Sequence, residues 1–386
     1  MLIKINLSCF FILTFSIFSF SEFSLGWADH HLITKEILRA HVNENLKVNY
    51  EPLTSFLSST NFENVSSFKN SIQINKNYEF KNILHEESVL TLSVLEILST
   101  YSDEPDWGMD QELFKEDQYP ELWRSEYSMM GGKAGLSSQA FRHMYWRELY
   151  WKHPIQSFKL PLEKINEPMG EAHNRAQLFM NLAQQAFTLK HNYWGWRFVA
   201  NSLHYIEDVA QPFHSSQVPS KIMINMVLSQ CLSPYGCKDF IGNMTNIIAY
   251  YHFAYEDTLS YIFHKKINND KDFTIDPDPI YSLRANNKMN YVNLSPAKIT
   301  VLMSELANSY SARAGRASIS FFPFFLGSYA NLDSGSFMNE KWWITTTNNL
   351  KQDSFARRNY LNNINSMFYE LGDAVRCWID NVTAPK

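Results

Sequence analysis

Cysteine is scarce in this chain, which has only four among 386 residues. Cys9 falls within an apolar N-terminal run, and none of the three that remain stand at zinc-finger spacing. Cys231 and Cys237 flank the turn-rich stretch LSPYG, which predicts a small disulfide loop. Cys377 lies in an amphipathic terminal segment, which favours a buried thiol outside any second bridge.

A surplus of positive charge is also missing. The formal net charge is −5, so the chain offers no basic surface for a polyanion, which weighs against a nucleic-acid-binding protein. It contains no glycine-rich phosphate loop, and beyond the N-terminal run no apolar segment is long enough to cross a bilayer. Aromatic residues are plentiful, at 15%, and are typical of a large core or of contacts with lipid.

The first residues are typical of a secretory signal peptide. Lys4 precedes the apolar run LSCFFILTFSIFSF, and Ser24 and Gly26 are small residues suited to positions just before a cleavage site. A transmembrane anchor is the alternative, but the run is short for spanning and polar residues follow it directly. We therefore expect a signal peptide over residues 1–26 and a secreted chain, extracellular or periplasmic, that begins at Trp27.

Apolar residues recur at three- and four-residue spacing along much of the chain, which predicts helices. The clearest segments are residues 30–40, 88–100, 174–190, 193–210 and 356–382. Strand-like alternation is scarce, and the chain has neither an internal repeat nor a convincing linker. The pattern predicts an all-α fold, with a single multi-helix domain over residues 27–386. Loops or insertions are expected at residues 59–75, 101–120 and 265–296.

His204, Asp208 and His214 lie close together in the stretch HYIEDVAQPFH. On the helix predicted over residues 193–210, His204 and Asp208 stand one turn apart on the same face. Pro212 is expected to end or kink that helix, with His214 just beyond it. The trio is compatible with a buried hydrogen-bonded cluster or with part of a metal site.

Further histidines and carboxylates extend the candidate set. His252 and Glu256 again stand at i, i+4, and the other candidates are the pair His30–His31, Asp106 in DEPDWGMD and His143 in AFRHMYW. Zinc binds imidazole nitrogen and carboxylate oxygen, with three or four protein ligands. Taken singly, each of these histidines is more typical of a surface or hydrogen-bonded side chain than of a metal ligand. Two His–carboxylate pairs in one secreted, mostly helical chain shift the balance towards a metal site, but from the residues alone the two interpretations stand even.

The stretch RFVANSLHYIEDVAQPFH, with its H-x3-D-x5-H spacing, resembles the zinc-dependent phospholipase C and single-strand nuclease superfamily. The other candidates follow in that superfamily's order over residues 27–265. The resemblance implies three Zn²⁺ ions per chain, with Asp208 bridging two of them. The implied ligand sets are Trp27, His30 and Asp208; Asp106, His143, His204 and Asp208; and His214, His252 and Glu256. Trp27 would bind through its α-amino nitrogen and carbonyl oxygen, which explains cleavage after Gly26.

Two features depart from that superfamily's pattern. His30 and His31 compete for one ligand position, and the apolar residues that follow at helical spacing favour His30. The chain between Asp106 and His143 is longer than usual, so residues 107–142 are expected to loop out beside the site. The region over residues 265–350 also reads as inserted and has no assigned role.

The resemblance implies hydrolysis of a phosphodiester, with Asp106 as the base that activates a water. Glu256 at the third metal favours a phospholipase C acting on phosphatidylcholine-like lipid at a membrane surface, without nucleic acid as a partner. A zinc-dependent single-strand nuclease or 3′-nucleotidase is the alternative. A secreted zinc-binding or membrane-binding protein without turnover is a third. Residues 270–386 end in a predicted helix, so no C-terminal β-sandwich is expected.

Overall fold

The computed structural model is all-α apart from one pair of short strands. It describes residues 29–52, 55–56, 58, 91–107, 139–147, 168–231, 240–268, 270, 273–285, 291–322 and 340–383. The predicted signal peptide, Trp27, Cys237 and the predicted loop over residues 59–75 lie outside these ranges. Among the described helices, none is both long enough and apolar enough to cross a membrane.

Twelve helices and two strands are described, together with one 3₁₀ turn at Glu104–Trp107. The helices are α1 (His30–Leu38), α2 (Val94–Tyr101), α3 (Gln139–His143), α4 (Ala172–Thr188), α5 (Asn192–Val209), α6 (Pro212–Ser215), α7 (Lys221–Cys231), α8 (Phe240–Ile267), α9 (Pro279–Arg284), α10 (Pro296–Phe321), α11 (Glu340–Lys351) and α12 (Phe355–Thr383). Strands β1 (Lys47–Asn49) and β2 (Thr91–Ser93) pair antiparallel, with Val48 opposite Leu92.

Helix α5 is the central element of the fold. From Tyr193 to Val209 every side chain is buried, because α2, α4 and α10 pack around it. Ala176, Phe179 and Ala183 of α4 are fully buried in the same core. A helix that is enclosed on all faces buries its polar residues as well, so the polar side chains of α5 must find partners inside the protein.

The sequence predicted five of the twelve described helices. Helices α1, α4, α5 and α12 agree with their predicted ranges to within two residues, a difference that is common at helix ends. Helix α2 begins later than predicted, since Ser93 caps it through a capping box with Glu96 and the preceding residues form β2.

Helix α10 was not predicted, although it has 26 residues and runs through the region expected to be inserted. Its buried face is formed largely by small residues, including Ser304, Ala307, Ser311 and Ala314. Small and hydroxylated side chains produce a weak hydrophobic periodicity even when they are buried, so the helical pattern was hidden. The region 265–350 therefore contributes part of the core around α5.

The prediction for Pro212 needs correction. Helix α5 already ends at Val209, and Pro212 is the first residue of the short helix α6, which contains His214. Gln211 caps α6 by accepting a hydrogen bond from the backbone N–H of Phe213. Proline suits a first helical position because its missing N–H has no helical partner there. Pro212 therefore begins a helix rather than ending one.

The segment that follows α3 packs closely against the backbone at Gly170. Met169 and Trp146 exchange two backbone hydrogen bonds of 2.8 Å, and the N–H of Ala172 donates to the carbonyl of Met144 at 3.3 Å. Gly170 has a φ of +122°, and a Cβ built on it would lie 2.0 Å from the carbonyl oxygen of Met144. Only glycine fits this position without moving the segment next to His143.

Gly170→Ala should therefore destabilise the fold. We expect the free energy of unfolding to fall by about 1–3 kcal/mol, because the new methyl group meets backbone and the φ is unfavourable for alanine. Chemical denaturation measures the change, with Ser320→Ala, at an exposed position of α10, as the control expected to stay within about 0.5 kcal/mol. Equal stability of the two variants would contradict the steric argument.

Candidate metal centre

Three adjacent groups of metal-ligating side chains lie in the part of the chain that the structure describes. In each group one nitrogen or carboxylate oxygen per residue lies within 4.8 Å of the others. The groups are His30, Asp106 and His204; His143, His204 and Asp208; and His214, His252 and Glu256. His204 belongs to the first two groups. The groups could each hold a metal ion.

Asp208 is the residue around which these groups are arranged. Its Oδ2 lies 2.8 Å from His143 Nδ1 and 3.1 Å from His204 Nε2. Its Oδ1 lies 3.3 Å from His30 Nε2 and 3.8 Å from His214 Nδ1. Burial raises the pKa of the Asp208 carboxyl, but the interactions with His204 and His143 outweigh this effect and place the pKa well below its ordinary range. The carboxylate is therefore ionised, although it is fully buried.

His204 and His214 are oriented by backbone carbonyl groups. His204 Nδ1 lies 2.7 Å from the carbonyl oxygen of Ser102, and His214 Nδ1 lies 2.8 Å from that of His143. A carbonyl oxygen only accepts hydrogen bonds, so both Nδ1 atoms carry the proton. The Nε2 atoms of both rings then face the neighbouring ligand groups.

His143 is positioned by the residues that follow it, which bind the backbone of α6 through hydrogen bonds. The N–H of Tyr145 donates to the carbonyl of His214 at 2.9 Å, and that of Arg147 donates to Ser215 at 3.1 Å. The bonds to Met169 described above hold the other side of this segment. His143 Nδ1 consequently lies 2.7 Å from His204 Nε2. His143 follows a long predicted insertion, and these hydrogen bonds hold it beside Asp208.

The third group joins α6 to α8. His252 Nε2 lies 2.7 Å from Glu256 Oε1 and 2.9 Å from His214 Nε2, while Gln211 Nε2 donates to the same Glu256 oxygen at 2.8 Å. Burial lowers the pKa of His252 to about 4, so its imidazole is neutral near pH 7 and retains a lone pair. Burial raises the pKa of the Glu256 carboxyl well above its ordinary range.

Asp106 reaches the site from the 3₁₀ turn Glu104–Trp107. Its Oδ1 lies 3.6 Å from His143 Nδ1 and 3.7 Å from His204 Nε2. The turn is anchored to α5 by Glu104, which forms an ion pair with Arg197 and accepts a hydrogen bond from Asn201 at 3.1 Å. The Asp106 side chain is 14% exposed, whereas those of Asp208 and Glu256 are fully buried. Asp106 is therefore the carboxylate of the three groups that solvent or substrate can reach.

The donor atoms fit divalent metal ions. His30 Nε2, Asp208 Oδ1 and Glu256 Oε2 are buried and make no hydrogen bond. Such buried polar atoms are costly unless something compensates them. Ring nitrogens of His143 and His204 lie 2.7 Å apart, and those of His214 and His252 lie 2.9 Å apart. Such close spacing is typical of nitrogens that bind the same metal ion. Imidazole nitrogen and carboxylate oxygen are among the ligands by which proteins bind zinc.

The structure brings together every sequence-predicted ligand that it describes. Trp27 lies outside the described residues. His31 lies apart from the three groups, since its backbone N–H and its Nδ1 both bond to Asp103, at 2.9 and 2.7 Å. His30, in contrast, points into the first group. Sequence reasoning missed Glu207, Gln211 and Glu104, which touch the ligands or their supports. Gln211 and Glu207 fall within the recognised motif, so their position along the chain was the available signal.

Comparisons with known proteins add little to this geometry. No protein-family model matches the sequence, and no curated protein matches it. Among solved structures, an alpha toxin from Clostridium absonum is similar, with a TM-score of 0.27 and 12% sequence identity over 92% of this chain. The chain spans 65% of the length of that protein. A likeness this weak supports no conclusion about the fold or the metal.

His204→Ala should lower the number of metal ions bound after zinc loading, because His204 belongs to two of the three groups. We expect a loss of about one ion per chain and a lower melting temperature, since bound metal stabilises only the folded state. Elemental analysis of gel-filtered protein measures the first effect and thermal unfolding the second. His41→Ala is the matched control, because His41 pairs with Asp380 away from the site. Unchanged metal content in His204→Ala would contradict the assignment.

Proposed function

We propose that this chain is a secreted zinc-dependent phospholipase C that hydrolyses the phosphodiester of phosphatidylcholine-like lipids. The products would be diacylglycerol and the phosphorylated head group. The observation that carries the proposal is the convergence of three donor groups on one buried, ionised carboxylate, Asp208, with the more exposed Asp106 beside them. Adjacent metal sites are suited to phosphodiester hydrolysis because the reaction develops negative charge on several oxygens at once.

The proposed ligand sets follow the resemblance and are supported by the distances. Asp208 lies between His30 on one side and His143 with His204 on the other, which suits a bridging carboxylate. His214, His252 and Glu256 form the third set. Asp106 would complete the set of His143 and His204, and Trp27 would complete that of His30. The assignment of Trp27, through its α-amino nitrogen after cleavage at Gly26, rests on the resemblance alone.

Zinc ions held by these groups would neutralise charge on the phosphoryl oxygens and lower the pKa of a bound water. Asp106 is placed to accept the proton of the attacking water, because its carboxylate is the most exposed of the three and borders two groups. As the water oxygen forms its bond to phosphorus, the bond to the diacylglycerol oxygen breaks. That oxygen leaves with the bonding electrons and takes up a proton.

Three features favour lipid over nucleic acid as the substrate. Glu256 rather than aspartate completes the third group, a choice that resembles the phospholipases of the superfamily. The net charge of −5 offers no surplus of basic residues for a polyanionic strand. The aromatic content of 15% suits contacts with a lipid surface. Secretion is proposed from the signal-peptide pattern over residues 1–26.

A paired assay tests the proposal directly. Protein that begins at Trp27 and is loaded with zinc is incubated with phosphatidylcholine vesicles and, separately, with single-stranded DNA. We expect release of phosphocholine, abolished by a chelator and restored by added zinc, and little cleavage of DNA. Cleavage of DNA without lipid hydrolysis would favour the nuclease alternative. Zinc binding without turnover of either substrate would favour a non-catalytic zinc protein.

Asp106→Asn should distinguish a role of Asp106 as the base from a role in holding metal. The amide preserves size and one oxygen but cannot accept the proton of the water, so we expect kcat to fall by about 10²- to 10⁴-fold with zinc content nearly intact. Asp208→Asn should instead release metal, because a bridging carboxylate compensates two cations. Lipid turnover and elemental analysis are measured on each variant.

Asp103→Asn is the matched control for Asp106→Asn, because Asp103 precedes the same turn but bonds to His31 rather than to a ligand. Its turnover should stay close to that of the unmodified protein. If Asp106→Asn retains turnover within about threefold, well short of the loss of a general base, Asp106 does not act as the base.

A further inference from the structure

Glu207 is a buried carboxylate that touches a predicted ligand without belonging to any of the three metal-ligating groups. It immediately precedes Asp208 on α5 and is fully buried. His30 Nδ1 donates to its Oε2 at 2.7 Å, and Thr34 Oγ1 donates to its Oε1 at 2.6 Å. Both oxygens of one carboxylate thus bind side chains of α1.

The contact with Glu207 fixes which nitrogen of His30 faces the site. The ring is bound to Glu207 through Nδ1, so Nε2 is the nitrogen left to face the site. That Nε2 is the atom that lies 3.3 Å from Asp208 Oδ1, and it is buried without a hydrogen bond. A carboxylate behind a metal-binding imidazole holds the ring in place and increases its basicity.

The same contact fixes how α1 packs on α5. His30 and Thr34 stand one turn apart on α1, so a single carboxylate sets both the height and the rotation of that helix. The rest of the buried face of α1 is largely apolar, with Ile33, Ile37 and Leu38 in the core. Apolar packing is not directional and permits small shifts between helices, whereas the two contacts made by Glu207 do not. Apolar packing alone would therefore leave the His30 ring less precisely placed.

Stability alone does not account for a glutamate at this position. A buried carboxylate loses its hydration, and replacing buried ionic groups with apolar side chains is often neutral or stabilising. An apolar residue at 207 would suit an interface that is already apolar. It would not, however, bond to Nδ1 and hold the His30 ring in its orientation.

We infer that Glu207 is a positioning residue, which holds α1 and the His30 imidazole so that Nε2 is presented to a metal bound with Asp208. The inference rests on the proposed function in one respect, namely that the His30 group binds zinc. It makes Glu207 a determinant of zinc affinity at that group without being a ligand itself. Thr34 supports Glu207 by occupying its second oxygen.

The test compares Glu207→Ala and Glu207→Gln with Glu36→Gln. Glu36 is a buried glutamate of α1 that also docks this helix, through Arg284 at 2.6 Å from the guanidinium Nε, but it does not touch His30. Zinc affinity of metal-depleted protein is measured by competition with a chromophoric chelator. The protonated ring nitrogen of His30 is identified by nitrogen NMR of the histidine side chains, with His30→Gln used to assign the signal.

Glu207→Ala should weaken the affected zinc site by about 10- to 100-fold and remove the preference for a proton on Nδ1. Glu207→Gln retains an accepting oxygen for Nδ1, so it should keep that preference and lose less affinity than the alanine variant. Glu36→Gln should change neither measurement, although it loses an ion pair and its melting temperature is expected to fall.

The outcomes distinguish the inference from the proposed function. If the unmodified protein binds no zinc, both are wrong. If it binds zinc and the Glu207 variants match Glu36→Gln in affinity, the inference alone is wrong and Glu207 is only a structural residue. Should Glu207→Ala fail to fold, Glu207→Leu decides, because an apolar side chain suits this interface but cannot bond to Nδ1. A loss of zinc affinity in Glu207→Leu that is absent from Glu36→Gln supports the inference, and equal affinities of these two variants overturn it.

Discussion

Asp208 is an ionised carboxylate in the interior of the protein, and the surrounding structure has to compensate its charge. The helix that carries it, α5, is enclosed on all faces, so water cannot do this. Four histidines within 3.8 Å approach instead, from α1, α3, α5 and α6. The packing of these helices and the charge balance of the interior therefore depend on the same residue.

The elements around Asp208 hold one another through polar contacts that the hydrophobic core could not supply. Backbone bonds join the segment after His143 to α6, and Gly170 permits the close approach on its other side. Glu104 and Arg197 fasten the turn that carries Asp106 to α5, with the guanidinium 4.0 Å from the centre of the Tyr101 ring. Apolar burial stabilises the bundle, whereas these directional contacts determine where each ligand points.

Much of the fold was predictable because helical periodicity is a local property of the sequence. It located α5 and showed that His204 and Asp208 share a face, as they do at 3.1 Å. Periodicity failed where the signal was not apolar, as in α10 with its buried alanines and serines. It also could not show that Glu207 meets His30, since these residues are 177 positions apart. Asp106 and His143 were placed in the site by resemblance, and no spacing rule would have found them. Trp27 and the zinc count stay predictions.

The described ligand side chains come from five helices and one turn, spread from His30 to Glu256. Only His204 with Asp208 and His252 with Glu256 are neighbours on a single helix, so an unfolded or partly folded chain offers a metal two ligands at a time. In the proposed ligand sets, coordination of every ion requires α1, α3, α6 and α8 to be docked. Metal retention would then report completed folding: a chain with one of these elements displaced would bind weakly the ion that this element helps to hold, and a completely folded chain would retain all of its ions.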